Sequence, residues 1–321
     1  MRAFVTGGTG FVGGHLYRKL VERGDEVVAL VRSPGKAGQL RELGVEIVAG
    51  DLSDEDAIHK AVVGCDAVFH VAAMYEVGIP ESEKPAMYDA NVRGTERAID
   101  AAVDAGVGRI VYVSTVGVFG DTHGQVVDET FEREPTDFMS YYEETKFFAH
   151  ELAKDRISKG AQIVIVQPGG IYGPGDPSVL GLMIKFIRKG MLPFYLMPEA
   201  GLNFVYVEDV ADGILLAHDK GRVGESYVLG GELLNLKEGI DRICRAAGRK
   251  PPRFTLPEGA LKLGLPFGRV IHRLTGLPPN MRELLRNVGA TFYATDDKAR
   301  AELGYSPRDL DTGLREMFAA P

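Results

Sequence analysis

Tyr142 and Lys146 stand four residues apart in a run with helical spacing, so they project from one helix face about a turn apart. A phenol with a pKa near ~10 is a poor acid or base at neutral pH. A neighbouring ammonium, and a cation bound beside it, lower that pKa toward the working range. Twelve tyrosines make such a pair common by chance, and its other reading is an aromatic helix residue beside a solvated charge. Position gives the pair weight. Tyr142 lies 27 residues beyond Thr115, and Ser114-Thr115 closes an apolar run that reads as a strand. Ligands of open parallel sheets bind outside the carboxyl ends of the strands. Thr115 is placed there to hydrogen-bond a substrate oxygen and hold a carbonyl in reach.

A second constellation opens the chain: Thr6-Gly7-Gly8-Thr9-Gly10-Phe11-Val12-Gly13, directly after one apolar run and at the start of a helical pattern. Gly7 permits a tight turn, Gly10 lets backbone approach a pyrophosphate, and Gly13 lets the helix pack close on the strand. The free N–H groups of the helix start then face the anion. Forty glycines produce such triplets by chance, but the strand–turn–helix context points to a dinucleotide. Lys146 can then hold the nicotinamide ribose, and the oxidised ring supplies the cation near Tyr142.

An NAD-preferring site carries Asp or Glu at the end of the second strand. Here the residues are Val31-Arg32-Ser33-Pro34-Gly35-Lys36, while Asp25 and Glu26 precede the strand. Arg32 can fork onto a 2′-phosphate and Lys36 can add a point charge, or both are solvated loop cations. The expected cofactor is NADP, as NADPH, with NAD second. Asp51-Leu52, after the third strand, is placed to meet the adenine. Val71-Ala72-Ala73 ends the fourth strand with small residues, either for backbone passing near the cofactor or for packing.

These residues need elements to hold them. Apolar, β-branched runs at 3–5, 27–31, 45–48, 67–71, 110–113 and 163–166 alternate with helical stretches such as 12–22, 55–63 and 88–103. Continuous apolar strands belong to a sheet covered on both faces, and the alternation means βαβ units. The expected fold is α/β, a doubly wound parallel (Rossmann) sheet over residues 1–167. Residues 168–321 form a smaller, mostly helical substrate region. Loops are expected at Pro168-Gly169-Gly170 and Gly173-Pro174-Gly175, and helices at 179–188, 207–218, 236–247, 259–275 and 296–303. Only 226–229 reads as a further strand, extending to 230 at most and returning to the sheet. The amphipathic stretch 256–277, interrupted by Pro266 and Gly268, fits a lid better than a membrane contact.

Composition bounds the partners. The 321 residues are 45% hydrophobic and 26% charged, enough for a large core. A net charge of −8 argues against nucleic acid and leaves a small molecule as the partner. Two cysteines, Cys65 and Cys244, build no disulfide framework and fit a reducing compartment. No run of 18 apolar residues indicates a membrane span, and the first residues lack a signal-peptide pattern, so a cytoplasmic location is expected. The seven histidines show no metal-ligand spacing, and His70 reads as an anchor of its strand end.

Together, Thr6–Gly13, His70–Ala73, Ser114–Gly120, Tyr142/Lys146, Pro168–Pro174 and the run Phe204-Val205-Tyr206-Val207-Glu208-Asp209-Val210 closely resemble the extended short-chain dehydrogenase/reductase superfamily, the NAD-dependent epimerase/dehydratase family. The resemblance covers nearly the whole chain. It implies that Thr115, Tyr142 and Lys146 match the catalytic Ser/Thr, Tyr and Lys. It also implies that Pro168, Gly170 and Ile171 match the loop holding the carboxamide end of the nicotinamide. Asn91, which opens a helix where the family often has Asn, is a structural hydrogen-bonder first. The runs Ala29-Leu30-Val31-Arg32-Ser33-Pro34 and Tyr293-Ala294-Thr295-Asp296-Asp297-Lys298-Ala299 resemble the dihydroflavonol-4-reductase-like branch. Three departures speak against nucleotide-sugar enzymes: Val116-Gly117 replaces Asp-Glu, Gly170 replaces Asn, and Leu202 replaces Arg.

The first expectation is therefore an NADPH-dependent reductase of an aldehyde or ketone, with Tyr142 as proton donor and Met74, Tyr75, Phe119, Tyr172, Phe194 and Tyr206 as candidate pocket residues. The second is an epimerase or isomerase of a sugar or sterol-like substrate, using bound nucleotide transiently. The third, a non-catalytic cofactor sensor, is disfavoured by the retained Tyr–Lys pair. By analogy with the superfamily, the helices at 88–103 and 140–157 suit a homodimer interface.

Overall fold

The computed structural model describes residues 1–257 and 280–319, together with 259, 273 and 275. The helix expected over 259–275 and most of the stretch 256–277 lie outside the described residues.

Seven parallel strands form the main sheet: β1 (Arg2–Thr6), β2 (Glu26–Val31), β3 (Glu46–Ala49), β4 (Ala67–His70), β5 (Arg109–Val113), β6 (Ile163–Pro168) and β9 (Ser226–Leu229). Their spatial order is β3-β2-β1-β4-β5-β6-β9. This is the doubly wound α/β sheet, and its order reverses between β1 and β4, where ligands of such sheets bind. Strand alternation divides two cores. Val5, Phe69, Val111 and Val166 pack against α1 (Phe11–Glu22) and α8 (Val207–Lys220). Phe4, Val68, Ile110 and Ile165 pack on the other face, against α3 (Glu55–Val62), α5 (Gly94–Asp104) and α6 (Tyr141–Ser158). β9 pairs parallel with β6, Gln167 opposite Val228.

Beyond Pro168 the chain holds more strand than its sequence suggests. β7 (Gly170–Tyr172), β8 (Gly201–Tyr206) and β10 (Glu232–Asn235) form a second sheet, with β8 parallel to β7 and antiparallel to β10. Their pairing is long-range and each lies beside Gly- or Pro-rich sequence, which is why local pattern reads them as loop. The loop expected at Pro168-Gly169-Gly170 is thus the corner where β6 of one sheet passes into β7 of the other. Around the second sheet, Phe204, Leu236, Ile240, Leu310 and Leu314 join α7 (Val179–Arg188), α9 (Leu236–Ala246) and the helix Leu310–Ala319 in a separate core.

Two further expectations need correction. The helix expected over 88–103 runs without a break from Lys84 to Asp104, as α4 (Lys84–Tyr88), a π-helical turn at Asp89–Arg93, and α5. Asn91 therefore lies inside that turn rather than opening a helix. β4 stops at His70, because the next two amides bond to the Thr6 hydroxyl instead of a neighbouring strand.

The corner at Gly169 has no room for a side chain. A Cβ there would lie 2.5 Å from Asn203 Cβ and 2.6 Å from the Asn203 carbonyl oxygen. Overpacking of this kind costs about 1–3 kcal/mol. Gly169→Ala is therefore expected to lower the urea midpoint; a midpoint equal to that of the parent would show that the two sheets tolerate sliding at this corner.

Candidate active site

The glycine turn after β1 is built for close approach. Gly7 has φ +76°, and a Cβ on it would come 2.9 Å from both the nitrogen and the Cα of Ala72. A Cβ on Gly13 would overlap the Gly7 carbonyl. Gly10 is the N-cap of α1, no side chain caps the helix, and its first turn holds no acid. Uncapped amides at a helix start favour an anion. Phe11 and Val12, half-buried, form the first turn, and Phe11 stands edge-on to His15 with ring centroids 6.0 Å apart. Gly173 sits against Phe11: a Cβ there would lie 3.6 Å from its ring. The second region thereby reaches the cradle.

A cavity of about 250 Å³ opens over the turn, lined by Gly8, Thr9, Phe11, Arg18, Gln39 and Pro174 among others. Arg18 and Gln39 escaped the sequence reading. The available signal was spacing, since Arg18 follows Gly14 by four residues on the same face of α1. Arg32 is exposed directly after β2, and Lys36 ends a 3-10 turn, Pro34–Lys36. Asp51 accepts from the Ser53 amide at 2.9 Å and its hydroxyl at 2.6 Å. Those bonds hold its carboxyl below the usual range, and the charge of Arg32 adds to the effect. Leu52 packs on the start of α5, and its carbonyl accepts from Arg97 at 3.0 Å.

Tyr142 and Lys146 sit in α6, whose N-cap Ser140 accepts from the Glu143 amide at 3.1 Å. Lys146 is buried; its ammonium donates to the Val113 carbonyl at 2.9 Å and to Tyr112 OH at 3.3 Å. Thr115, two residues past Val113, caps a 3-10 turn and accepts from the Gly117 amide at 3.1 Å. The Tyr142 ring stands edge-on to Tyr75, 4.8 Å between centroids. Burial raises the Tyr142 pKa, and the Tyr75 and Tyr112 phenols add to the rise. The expected lowering rests on the lysine together with a bound nicotinamide cation, whereas the protein's own groups push the phenol up. Burial acts on both partners, and the lysine is itself pulled down to about 7.

Pro168 ends β6, while Gly170 and Ile171 open β7 opposite Phe204 and Val205. Just before them, Gln167 is buried with both amide atoms unpartnered among the described residues. Of the candidate pocket residues, Tyr172 and Tyr206 are core: their rings lie 5.4 Å apart and both are buried. Tyr75 keeps 47% of its surface exposed while its ring meets that of Tyr142. Phe119 is buried beside Phe131, and Phe194 lies 6.3 Å from Phe254. Glu143, missed from sequence, is buried and ion-paired with Arg133, which also holds the Thr136 carbonyl at 2.9 Å. Among the described residues no group of three or more His, Cys, Asp or Glu suits a metal ion. Nor is any described helix long and apolar enough to cross a membrane.

A glycine cradle at the reversal of a doubly wound sheet, next to a tyrosine and a buried lysine on one helix face, defines a dinucleotide-dependent enzyme. The sequence pattern described as the NAD dependent epimerase/dehydratase family matches residues 3–230, and the chain belongs to that family of extended short-chain dehydrogenases/reductases. It is an NAD(P)-dependent oxidoreductase. It is 35% identical to a Synechocystis sp. protein named "Putative dihydroflavonol 4-reductase", over 98% of this chain and 92% of the other. It is 33% identical to the 4-hydroxy-2-methyl-3-oxo-4-farnesyl-3,4-dihydroquinoline-1-oxide ketoreductase of Stigmatella aurantiaca, over 96% and 92%. Among solved structures, gox2253 superposes with a TM-score of 0.84 at 35% identity, covering 99% of this chain and 96% of that one. The dTDP-glucose 4,6-dehydratase of Streptomyces venezuelae with NAD bound gives 0.80 at 25% identity, covering 99% and 96%.

The buried lysine has a measurable signature. Its pKa of about 7 lies below the ordinary 10.5 of the unfolded chain. Between those values the unfolded state holds a proton that the folded state lacks, so stability rises with pH. From pH 7 to pH 9 the parent should gain about 2 kcal/mol on Lys146→Met, measured by urea unfolding. Parallel stability curves for the two proteins would show that Lys146 keeps an ordinary pKa.

Proposed function

We propose that this protein is an NADPH-dependent reductase of a bulky, largely apolar aldehyde or ketone. The observation that carries the proposal is the placement of Tyr142 on α6, one helix turn before the buried Lys146 and edge-on to the exposed ring of Tyr75. A phenol so placed can give its proton to a carbonyl oxygen as it becomes an alcohol. When bound, the reduced nicotinamide supplies the hydride. Thr115 orients the substrate oxygen, using the hydroxyl proton left free when its oxygen accepts from Gly117. Lys146 donates to the nicotinamide ribose and stabilises the phenolate left on Tyr142.

The remaining assignments follow the same geometry. Gly7, Gly10, Phe11, Val12 and Gly13 cradle the pyrophosphate, in a turn so close that a Cβ on Gly7 would meet Ala72 and one on Gly13 the Gly7 carbonyl. Asp51 and Leu52 border the adenine, and Val71, Ala72 and Ala73 line the strap beside Gly7. Pro168, Gly170 and Ile171 meet the carboxamide end, at the corner between the two sheets. Residues 1–167 hold the nucleotide and residues 168–321 the substrate. Arg32, exposed at the end of β2 with Lys36 following, receives the 2′-phosphate and sets the preference for NADP.

The relatives support a large apolar ketone. They include a ketoreductase of a farnesylated quinoline oxide and a 2-alkyl-3-oxoalkanoate reductase from Stenotrophomonas maltophilia, 32% identical. A second reading, transient oxidation within an epimerase or isomerase cycle, draws on the likeness to the NAD-bound family structure. It requires nucleotide that stays bound through purification.

Two measurements test the proposal. With a 2-alkyl-3-oxoalkanoate as substrate, Tyr142→Phe should lower NADPH oxidation by roughly 10²–10⁴-fold with cofactor affinity nearly intact. Turnover that survives the change would remove Tyr142 as the acid. Arg32→Ala should lower the NADPH-over-NADH affinity ratio by about tenfold, the scale of one lost charge-assisted fork. An unchanged ratio would move the 2′-phosphate contact elsewhere.

A further inference from the structure

A run of hydrogen bonds, carried through Asn91 from its backbone carbonyl to its side chain, links the glycine turn to α6, and counting lone pairs fixes the direction of its first bonds. Thr6 Oγ1 accepts the amides of Val71 and Ala72, each at 3.2 Å. Both lone pairs of that oxygen are then used, so its proton goes to His70 Nδ1 at 2.9 Å. His70 therefore carries its own proton on Nε2 and donates to Thr95 Oγ1 at 3.0 Å. Thr95 donates in turn to the Asn91 carbonyl at 2.6 Å. The Asn91 side chain accepts from the Met74 amide at 2.6 Å and donates to the Met74 carbonyl at 3.0 Å and to Thr145 Oγ1 at 2.9 Å. Thr145 donates to the Tyr142 carbonyl at 2.9 Å. Thr6, His70, Asn91, Thr95 and Thr145 are all buried, so water does not compete for these bonds.

The run grips one short strap, residues 71–75, at both ends. Its first residues are drawn onto Thr6, which seats Ala72 against Gly7, the tightest point of the nucleotide cradle. Its far end is held by Asn91 and carries Tyr75, whose ring meets Tyr142. His70 is where the two ends join. The task takes an acceptor and a donor on opposite sides of one rigid ring, and a neutral imidazole provides that. Burial and the charge of Lys146 keep the ring neutral.

We infer that His70 is a positioning residue that couples nucleotide binding at the glycine turn to the setting of Tyr142 on α6. The inference rests on the NAD(P) dependence of the family and not on the proposed carbonyl reduction, so its test uses no turnover.

An Asn amide occupies the place of Nδ1 and a Gln amide that of Nε2, so two substitutions separate the two ends. His70→Asn keeps the bond to Thr6 and cuts the one to Thr95; His70→Gln does the reverse. Affinities for NADPH and NADH, read from reduced-nicotinamide fluorescence, should fall about tenfold in His70→Gln and stay within about threefold of the parent in His70→Asn. Hydrogen exchange supplies the second readout. NADPH should slow exchange over 141–147 in the parent, and that remote protection should be lost in both variants. Thr6→Val and Thr95→Val, close in shape to the originals, should repeat the Gln and Asn patterns in turn. They carry the test where the imidazole replacements fail to fold. Equal affinity losses at the two ends, or remote protection that persists after either end is cut, would overturn the coupling.

Discussion

The structure depends on how closely two pieces of backbone meet at the reversal of the sheet. A Cβ on Gly7 would stand 2.9 Å from the nitrogen and Cα of Ala72. That spacing excludes any side chain at Gly7 and leaves the cradle floor to bare main chain. A pyrophosphate can then approach amides rather than side chains, which is what an uncapped α1 offers. The same constraint explains why β4 ends at His70. Two amides that would otherwise extend the ladder turn to the Thr6 hydroxyl and hold the strap in place.

Burial then sets the chemistry of α6. An ammonium sealed behind Tyr112 and the Val113 carbonyl loses much of its hydration, and its pKa falls to about 7. A phenol in the same surroundings rises instead, because the form that burial penalises is the anion. One environment thus pushes two neighbouring groups in opposite directions, each toward its neutral form. Burying polar groups in this way costs stability, and the bonds from Lys146 to the Val113 carbonyl and Tyr112 offset part of that cost.

Much of this was legible in the sequence because it is local. The glycine turn is eight consecutive residues, the strands are continuous apolar runs, and Tyr142 and Lys146 share one helix turn. Contacts made over long distances in the chain were not legible. The π-turn that places Asn91 under Met74 joins residues 17 apart, and Glu143 meets Arg133 from a separate loop. The burial that raises the Tyr142 phenol likewise comes from elements distant in sequence.

The second region shows why the nucleotide end of such a protein is easier to read than the substrate end. Aromatic residues there look alike in sequence, whether they line a cleft or fill a core. Tyr172 and Tyr206 have cleft-like neighbours in the chain, yet Gly313 closes over Tyr172 and the Arg308 guanidinium lies over the Tyr206 ring at 4.7 Å. The motif that carries Tyr206 is spent on holding regions together. Glu208 takes His15 of α1 at 2.5 Å, and Asp209 takes the Arg308 amide at 3.0 Å. A residue run shared across a family can therefore fix the frame while leaving the pocket free to vary. Tyr75, by contrast, is held by the frame against Tyr142 and left exposed.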